Sequence, residues 1–305
     1  MRLPVLMMLL LPPLGRAAGC NLCHSREAAE WSESAHARSL GPVLQSRFYQ
    51  ALPEGPIGEA RGGFLLHFGV SGNALEVTSR RGAETATALI SWVFGAGRRA
   101  ETPLAARGSS NLEFRVSYYS ISDKFDLTLG HRPGISASPS QALGIPQTPD
   151  AVGRCFGCHA TGGQPGAAGF EPGVGCLACH ADAREHALHG TPAANPGRLA
   201  ARALVGACGM CHRTEPEGDP NDPVNVRYQA VRLLRSRCFA SGKLSCLTCH
   251  DPHRDARADF ASYRQHCLEC HPGQAARGNC LECHMPRVAL NSRLSFTDHW
   301  IRLRP

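Results

Sequence analysis

The chain has 305 residues, a formal charge of +7 and 6% aromatic residues, against 32 glycines and 22 prolines. So few large apolar side chains argue against a conventional core for a chain of this length, and no run is long and apolar enough for a membrane helix. The positive charge is a poor argument for nucleic acid, because it includes Arg2 and Arg16 of a leader segment.

Residues 1–19 read as an export signal. Arg2 gives a positive start, an apolar run extends from Val5 to Leu14, and Ala17, Ala18 and Gly19 offer small residues for cleavage. A periplasmic or otherwise exported protein is expected. Residues 20–60 open on Cys20, Cys23 and His24 and continue into a predicted helix with Trp31 and His36. Residues 61–131 alternate apolar and polar positions at 63–68, 74–78 and 112–119. Gly-Asn, Gly-Ala-Gly and Arg-Gly-Ser-Ser turn signals break them, which predicts a small β-rich insertion of hairpins. Residues 132–150, rich in Pro, Ser and Gly, read as a linker. In residues 151–305 the most helical pattern is 225–238, where Val226, Ala230, Leu233 and Leu234 share a face.

One pattern occurs seven times: Cys-x-x-Cys-His. Its copies are Cys20, Cys23 and His24; Cys155, Cys158 and His159; Cys176, Cys179 and His180; Cys208, Cys211 and His212; Cys246, Cys249 and His250; Cys267, Cys270 and His271; and Cys280, Cys283 and His284. This is the attachment signature of c-type haem. Two cysteines three apart project from one side of a helical turn toward the two vinyl groups, and the next histidine falls under the iron. With 15 histidines in 305 residues, a chance His after all seven pairs is on the order of one in a billion. Zinc ribbons also use paired cysteines but have no need of the following histidine, and pairs so close in sequence make poor disulfide staples. Lipidation of Cys20 would remove a thioether from the first haem, which speaks against a lipoprotein.

Seven covalently attached haem c groups leave about 40 residues for each. Porphyrins then supply the buried apolar surface, and up to two propionates per haem give the arginines partners within the molecule. The expected fold is mainly α with much irregular structure, a multihaem cytochrome c fold around stacked haems with a small β-rich insertion. The spacing of 13 positions between Cys267 and Cys280 makes the last two haems close neighbours.

The distal axial position decides whether an iron only carries electrons or admits a small molecule. Beyond the leader only Met210 and Met285 remain, one within a motif and one directly after one. Eight histidines lie outside the motifs. His36, His186, His189, His253, His266 and His299 are the candidate distal ligands, while His67 and His131 fall in the β-like segment and read as turn or strand residues. Cys238 is the fifteenth cysteine, and reads as a buried free thiol.

Several stretches resemble exported bacterial multihaem cytochromes related to the nitrification tetrahaem cytochrome that accepts electrons from hydroxylamine oxidoreductase. They are the W-x-x-S-x-H pattern at Trp31, Ser34 and His36; CFGCHATGG at 155–163; and VGCLACHADAREH at 174–186. To these add SRCFASGKLSCLTCHDPH at 236–253, CLECHMP at 280–286 and FTDHWI at 296–301. SWVFGAGRR at 91–99 with Tyr118 and Tyr119 is similar to that group's β-hairpin module. The chain departs from the group's Gly-Pro-Gly at Ala181, Asp182 and Ala183, yet keeps His186 six after His180. The resemblance implies electron transfer through stacked bis-histidine haems. It does not carry an activity, since such folds serve both wires and reductases.

The expected function is therefore an electron carrier between redox proteins outside the cytoplasm, with no nucleic-acid partner. Association with a membrane-bound complex stays open. The alternative is a multihaem oxidoreductase acting on a small nitrogen or sulfur compound at one open haem. No Cys-x-x-Cys-Lys motif of the nitrite reductase kind is present.

Overall fold

In the computed structural model, which describes residues 19–59, 62–256, 260–274 and 278–303, the largest element is an antiparallel sheet of ten strands. These are β1 (Leu40–Pro42), β2 (Ile57–Gly58), β3 (Leu65–Ser71), β4 (Ala74–Arg81), β5 (Glu84–Phe94), β6 (Ala100–Arg107), β7 (Ser110–Phe114), β8 (Val116–Tyr119), β9 (Lys124–Leu127) and β10 (Gly144–Gln147). The order is β10-β7-β6-β5-β4-β3-β2, with β1 on the far half of β5, β8 on the start of β6 and β9 beyond β8. Three hairpins close over two residues, between Ser71 and Ala74, Arg81 and Glu84, and Arg107 and Ser110. The first residue of each turn is a glycine, Gly72, Gly82 or Gly108, at φ of 58–60°. Two-residue hairpins require that left-handed conformation.

Strand β5 shows how alternation builds this sheet. Ala86, Ala88 and Ile90 point inward and Thr85, Thr87 and Leu89 outward. The register shifts between Ile90 and Trp92, so the strand bends there and its end pairs with β1. The inner face packs Phe48, Leu66, Leu75, Val77, Ile90, Phe114 and Leu143 into one apolar cluster. Phe48 meets Phe68, Phe114 and Phe125 edge-on at 5.2–6.2 Å between ring centres.

The helices are α1 (Cys20–Cys23), α2 (Ser25–Ser32), α3 (Arg47–Gln50), α4 (Pro139–Leu143), α5 (Pro149–His159), α6 (Cys176–Cys179), α7 (Ala183–His189), α8 (Ala201–His212), α9 (Gln229–Leu234), α10 (Arg237–Ala240), α11 (Cys246–Cys249), α12 (Phe260–Leu268) and α13 (Cys280–His284). A second cluster of Leu40, Leu104, Val152, Phe156 and Ala160, with Trp92, Phe94 and Phe170 against it, ties α5 to the sheet. A small third one, Val205, Ala230, Leu233 and Phe239, joins α8, α9 and α10.

The expectation of a mainly α fold is overturned. Helices hold 35% and strands 24% of the structure, and the sheet is large and curled. Two physical causes combine. Most motif helices are a single turn, because a Cys-x-x-Cys-His needs no more. The sheet also recruits β1, β2 and β10 from outside residues 61–131. Residues 132–150 contain α4, β10 and the start of α5. The helix expected over 225–238 is broken into a 3₁₀ turn (Pro223–Arg227), α9 and α10. Buried Asn225 holds the first break, its side chain bonding the backbone of Glu217 and Asp219. Most of the leader, residues 1–18, lies outside the described residues. Among the described residues no helix is long and apolar enough to cross a membrane.

Candidate haem sites

Each motif folds as a turn of helix that sets its two cysteines on one side. In four of them the histidine N–H closes the turn onto the first cysteine's carbonyl: His24 on Cys20 and His180 on Cys176 at 2.8 Å, His271 on Cys267 at 2.9 Å and His250 on Cys246 at 3.0 Å. The second and fourth motifs end the longer helices α5 and α8. No disulfide joins any of the fifteen cysteines.

Three motif histidines face a second imidazole. Ring centres of His24 and His186 lie 6.2 Å apart, those of His212 and His36 6.1 Å, and those of His250 and His299 6.2 Å. A metal held between two imidazoles needs about 6.2 Å, from two bonds of about 2.0 Å and about 1.1 Å from each nitrogen to its ring centre. The structure thus pairs His36, His186 and His299 each with one motif histidine.

The local folding explains these pairs. Trp31 donates from its indole to the Val174 carbonyl at 2.8 Å, and Val174 N–H bonds the His36 carbonyl at 2.8 Å. Arg254 pairs with Glu30, and Ala35 N–H bonds Asp255, so α2 is fixed to the loop after the fifth motif. That anchoring carries His36 to His212. His186 lies on α7, which ends at Gly190 in the left-handed conformation.

Seven of these histidines also have a partner at the second ring nitrogen. Nδ1 of His36 bonds the Pro252 carbonyl at 3.1 Å, His159 that of Ser39 at 3.0 Å, His180 that of Ala194 at 2.9 Å and His186 that of Thr191 at 2.7 Å. His284 bonds the Arg302 carbonyl and His299 that of Thr297, each at 3.0 Å. A carbonyl only accepts, so Nδ1 carries the proton and Nε2 is left with its lone pair, as a metal ligand requires. His212 uses the side-chain oxygen of Gln229 at 2.9 Å. Burial holds His159, His212 and His250 below the ordinary imidazole value and His299 down to about 4. These rings stay neutral at physiological pH.

The remaining histidines are placed differently. Nδ1 of His253 lies 3.1 Å from Asp251, and that of His266 3.3 Å from Glu269. His189 is exposed and turns Nε2, the nitrogen a ligand would use, toward Glu185 at 3.6 Å. His67 is exposed on β3 opposite Thr78. His131 is buried with Nε2 3.3 Å from Glu113, and neither ring nitrogen makes a well-formed hydrogen bond.

The motifs also lie against one another. Helix α8 packs on α5 and α11, α12 on α11, and α13 on α12. Cysteines of different motifs lie side by side, Cys158 with Cys211, Cys208 with Cys246 and Cys20 with Cys176. The second, fourth and fifth motifs thus converge, the first meets the third, and the sixth and seventh continue from the fifth.

Haem c fits this residue set. Helices α1, α6, α11, α12 and α13 bury none of their own side chains, so the motif half needs a large apolar partner to close over. Sequence reasoning missed the Nδ1 acceptors. Nearly all are backbone carbonyls, which leave no signature in residue type. It also missed Gln229.

No family model matches the chain, and no curated protein matches it. A solved structure does, the crystal structure of the outer cell wall cytochrome OcwA, with a TM-score of 0.53. The chain shares a cytochrome's fold. The match covers 94% of this chain and 79% of that one at 14% identity, so the likeness is one of architecture. A kinship with the hydroxylamine oxidoreductase group is not carried by it.

Proposed function

We propose that the chain is an exported seven-haem c-type cytochrome that passes electrons between redox proteins. The observation that carries this reading is the set of three imidazole pairs at 6.1–6.2 Å, in motif helices that touch one another. Haem c, when bound, supplies a reversible one-electron centre. The chain's own residues do the rest. Fourteen motif cysteines tether the groups, and the seven motif histidines supply one axial nitrogen each. His36, His186 and His299 supply the second at the fourth, first and fifth sites. His253 and His266, each with a carboxylate at Nδ1, are proposed for two others. Carbonyls hold the Nδ1 protons and fix the tautomer, which leaves the rings little reorganisation when the charge of the site changes.

Close contact between motifs supports hopping along the order seven–six–five–four, with the second motif and the third-to-first pair joining at the fourth. The likeness to an outer cell wall cytochrome supports an exported location and other redox proteins as partners. The division into a first-haem segment, a β-rich insertion, a linker and a six-haem region belongs to the same proposal, as does membership of the nitrification-related group.

The test is to purify the exported protein, weigh it, and record electron paramagnetic resonance of the oxidised form. A mass with seven haems and mostly low-spin signals is expected, unchanged in His189→Ala. A haem-free protein would overturn the reading. One stoichiometric high-spin haem that responds to nitrite, hydroxylamine or sulfite would turn it toward an oxidoreductase.

A further inference from the structure

The last described residues form a strap whose contacts reach two motifs. Hairpin strands Arg287–Ala289 and Ser295–Thr297 pair directly after the seventh motif, and Asp298 N–H bonds the Pro286 carbonyl at 3.0 Å. The next residue is His299, opposite His250 of the fifth motif. Three residues further on, the Arg302 carbonyl takes the Nδ1 proton of His284, in the seventh motif.

This strap is locked from beneath by α9 and the turn that follows it. Ser236 Oγ donates to the His299 carbonyl at 3.1 Å and accepts from Ile301 N–H at 2.8 Å, gripping the backbone on both sides of Trp300. Arg232 and Asp298, 3% and 2% exposed, stand 3.6 Å apart in a buried ion pair. Arg232 is itself fixed by the carbonyls of Pro220 and Asp222. Asp298 in turn caps Trp300 N–H at 3.0 Å. The Trp300 indole is stacked between the guanidinium groups of Arg235 and Arg302, at 3.7 and 3.5 Å from the ring centre. Buried ion pairs seldom repay their desolvation in stability, and their best-attested use is to fix one geometry.

We propose that the strap from Asp298 to Arg302, set by Ser236 and the Arg232–Asp298 pair, positions the axial imidazole of the fifth site and orients the proximal histidine of the seventh, so that one segment tunes two irons. This rests on the haem reading above. Ser236 and Arg232 are positioning residues. They act through His299 and the Arg302 carbonyl.

The experiment compares three variants of the full exported holoprotein by mass, electron paramagnetic resonance and potentiometric titration. His299→Gly should turn one low-spin haem high-spin and move one midpoint potential, with low-spin character restored by added imidazole. Ending the chain after Thr297 should produce the same high-spin haem and also shift a second potential, which imidazole does not restore. Ser236→Ala should give a partial high-spin fraction that Ser236→Thr reverses. If truncation and His299→Gly disturb the same single haem, or if Ser236→Ala leaves every signal in place, the strap does not couple the two sites. Wild-type protein without haem would instead defeat the underlying reading.

Discussion

The sheet and the motif-bearing half obtain their interiors in opposite ways. Residues of β3 to β7 alternate in and out and meet in a cluster built on Phe48, Leu66, Ile90 and Phe114. The sheet is therefore a self-sufficient apolar body. In the motif half, α1, α6, α11, α12 and α13 bury nothing of their own, and among the described residues the one purely local cluster is four buried residues around Val205 and Leu233. One half is held by side chains packing on each other. The other brings cysteines and histidines of separate motifs together, and on the proposed reading it closes over haem.

That contrast predicts different responses to damage, and the largest should come from the motif half. Changing Cys208 and Cys211 to Ala would remove the proposed haem attachment where α8 meets α5 and α11. The expected outcome is the loss of one haem mass and rapid proteolysis within 149–303, while a fragment spanning the sheet resists. Equal resistance of both halves would contradict the division. In the sheet, Phe48→Ala should cost about 3–5 kcal/mol by leaving a cavity among Phe68, Phe114 and Phe125. Denaturant unfolding would measure this, with the haem content unchanged.

A smaller effect sharpens the same comparison through pH. Burial alone would raise the carboxyl of Glu59, but hydrogen bonds from Ser136 and Phe64 N–H and the Arg115 charge outweigh it and hold the group below its ordinary value. A carboxylate lowered in the folded state contributes stability that is present above its unfolded value and lost as pH falls through the folded one. The sheet should therefore weaken with acid in that window. Glu59→Gln should cost about 1–3 kcal/mol at neutral pH and flatten the acid limb of a melting-temperature profile.

How much of this was legible depends on the element. The hairpin character of 61–131 was, because period-2 alternation and the turns at Gly72 and Gly108 are local signals, whereas the turn at Gly82 and the longest strand, β5, went unread. The motif turns were equally plain. The extent of the sheet was not, since Leu40–Pro42 and Gly144–Gln147 are too short to show alternation and become strands only by pairing with β5 and β7. Nor was the break in 225–238, because Ser236 leaves the helix to serve a backbone 63 positions away. Among the histidines, sequence could rank His189 beside His186 on one helix. Only the fold turns one toward His24 and the other toward Glu185.

The sequence by itself determined the motif turns, since two cysteines and a histidine at this fixed spacing close one helical turn within the motif. Tertiary structure decided which imidazole faces which motif, and which carbonyl holds each Nδ1 proton. Those choices join residues far apart in the chain, as His36 with His212, and are set by packing rather than by any local pattern.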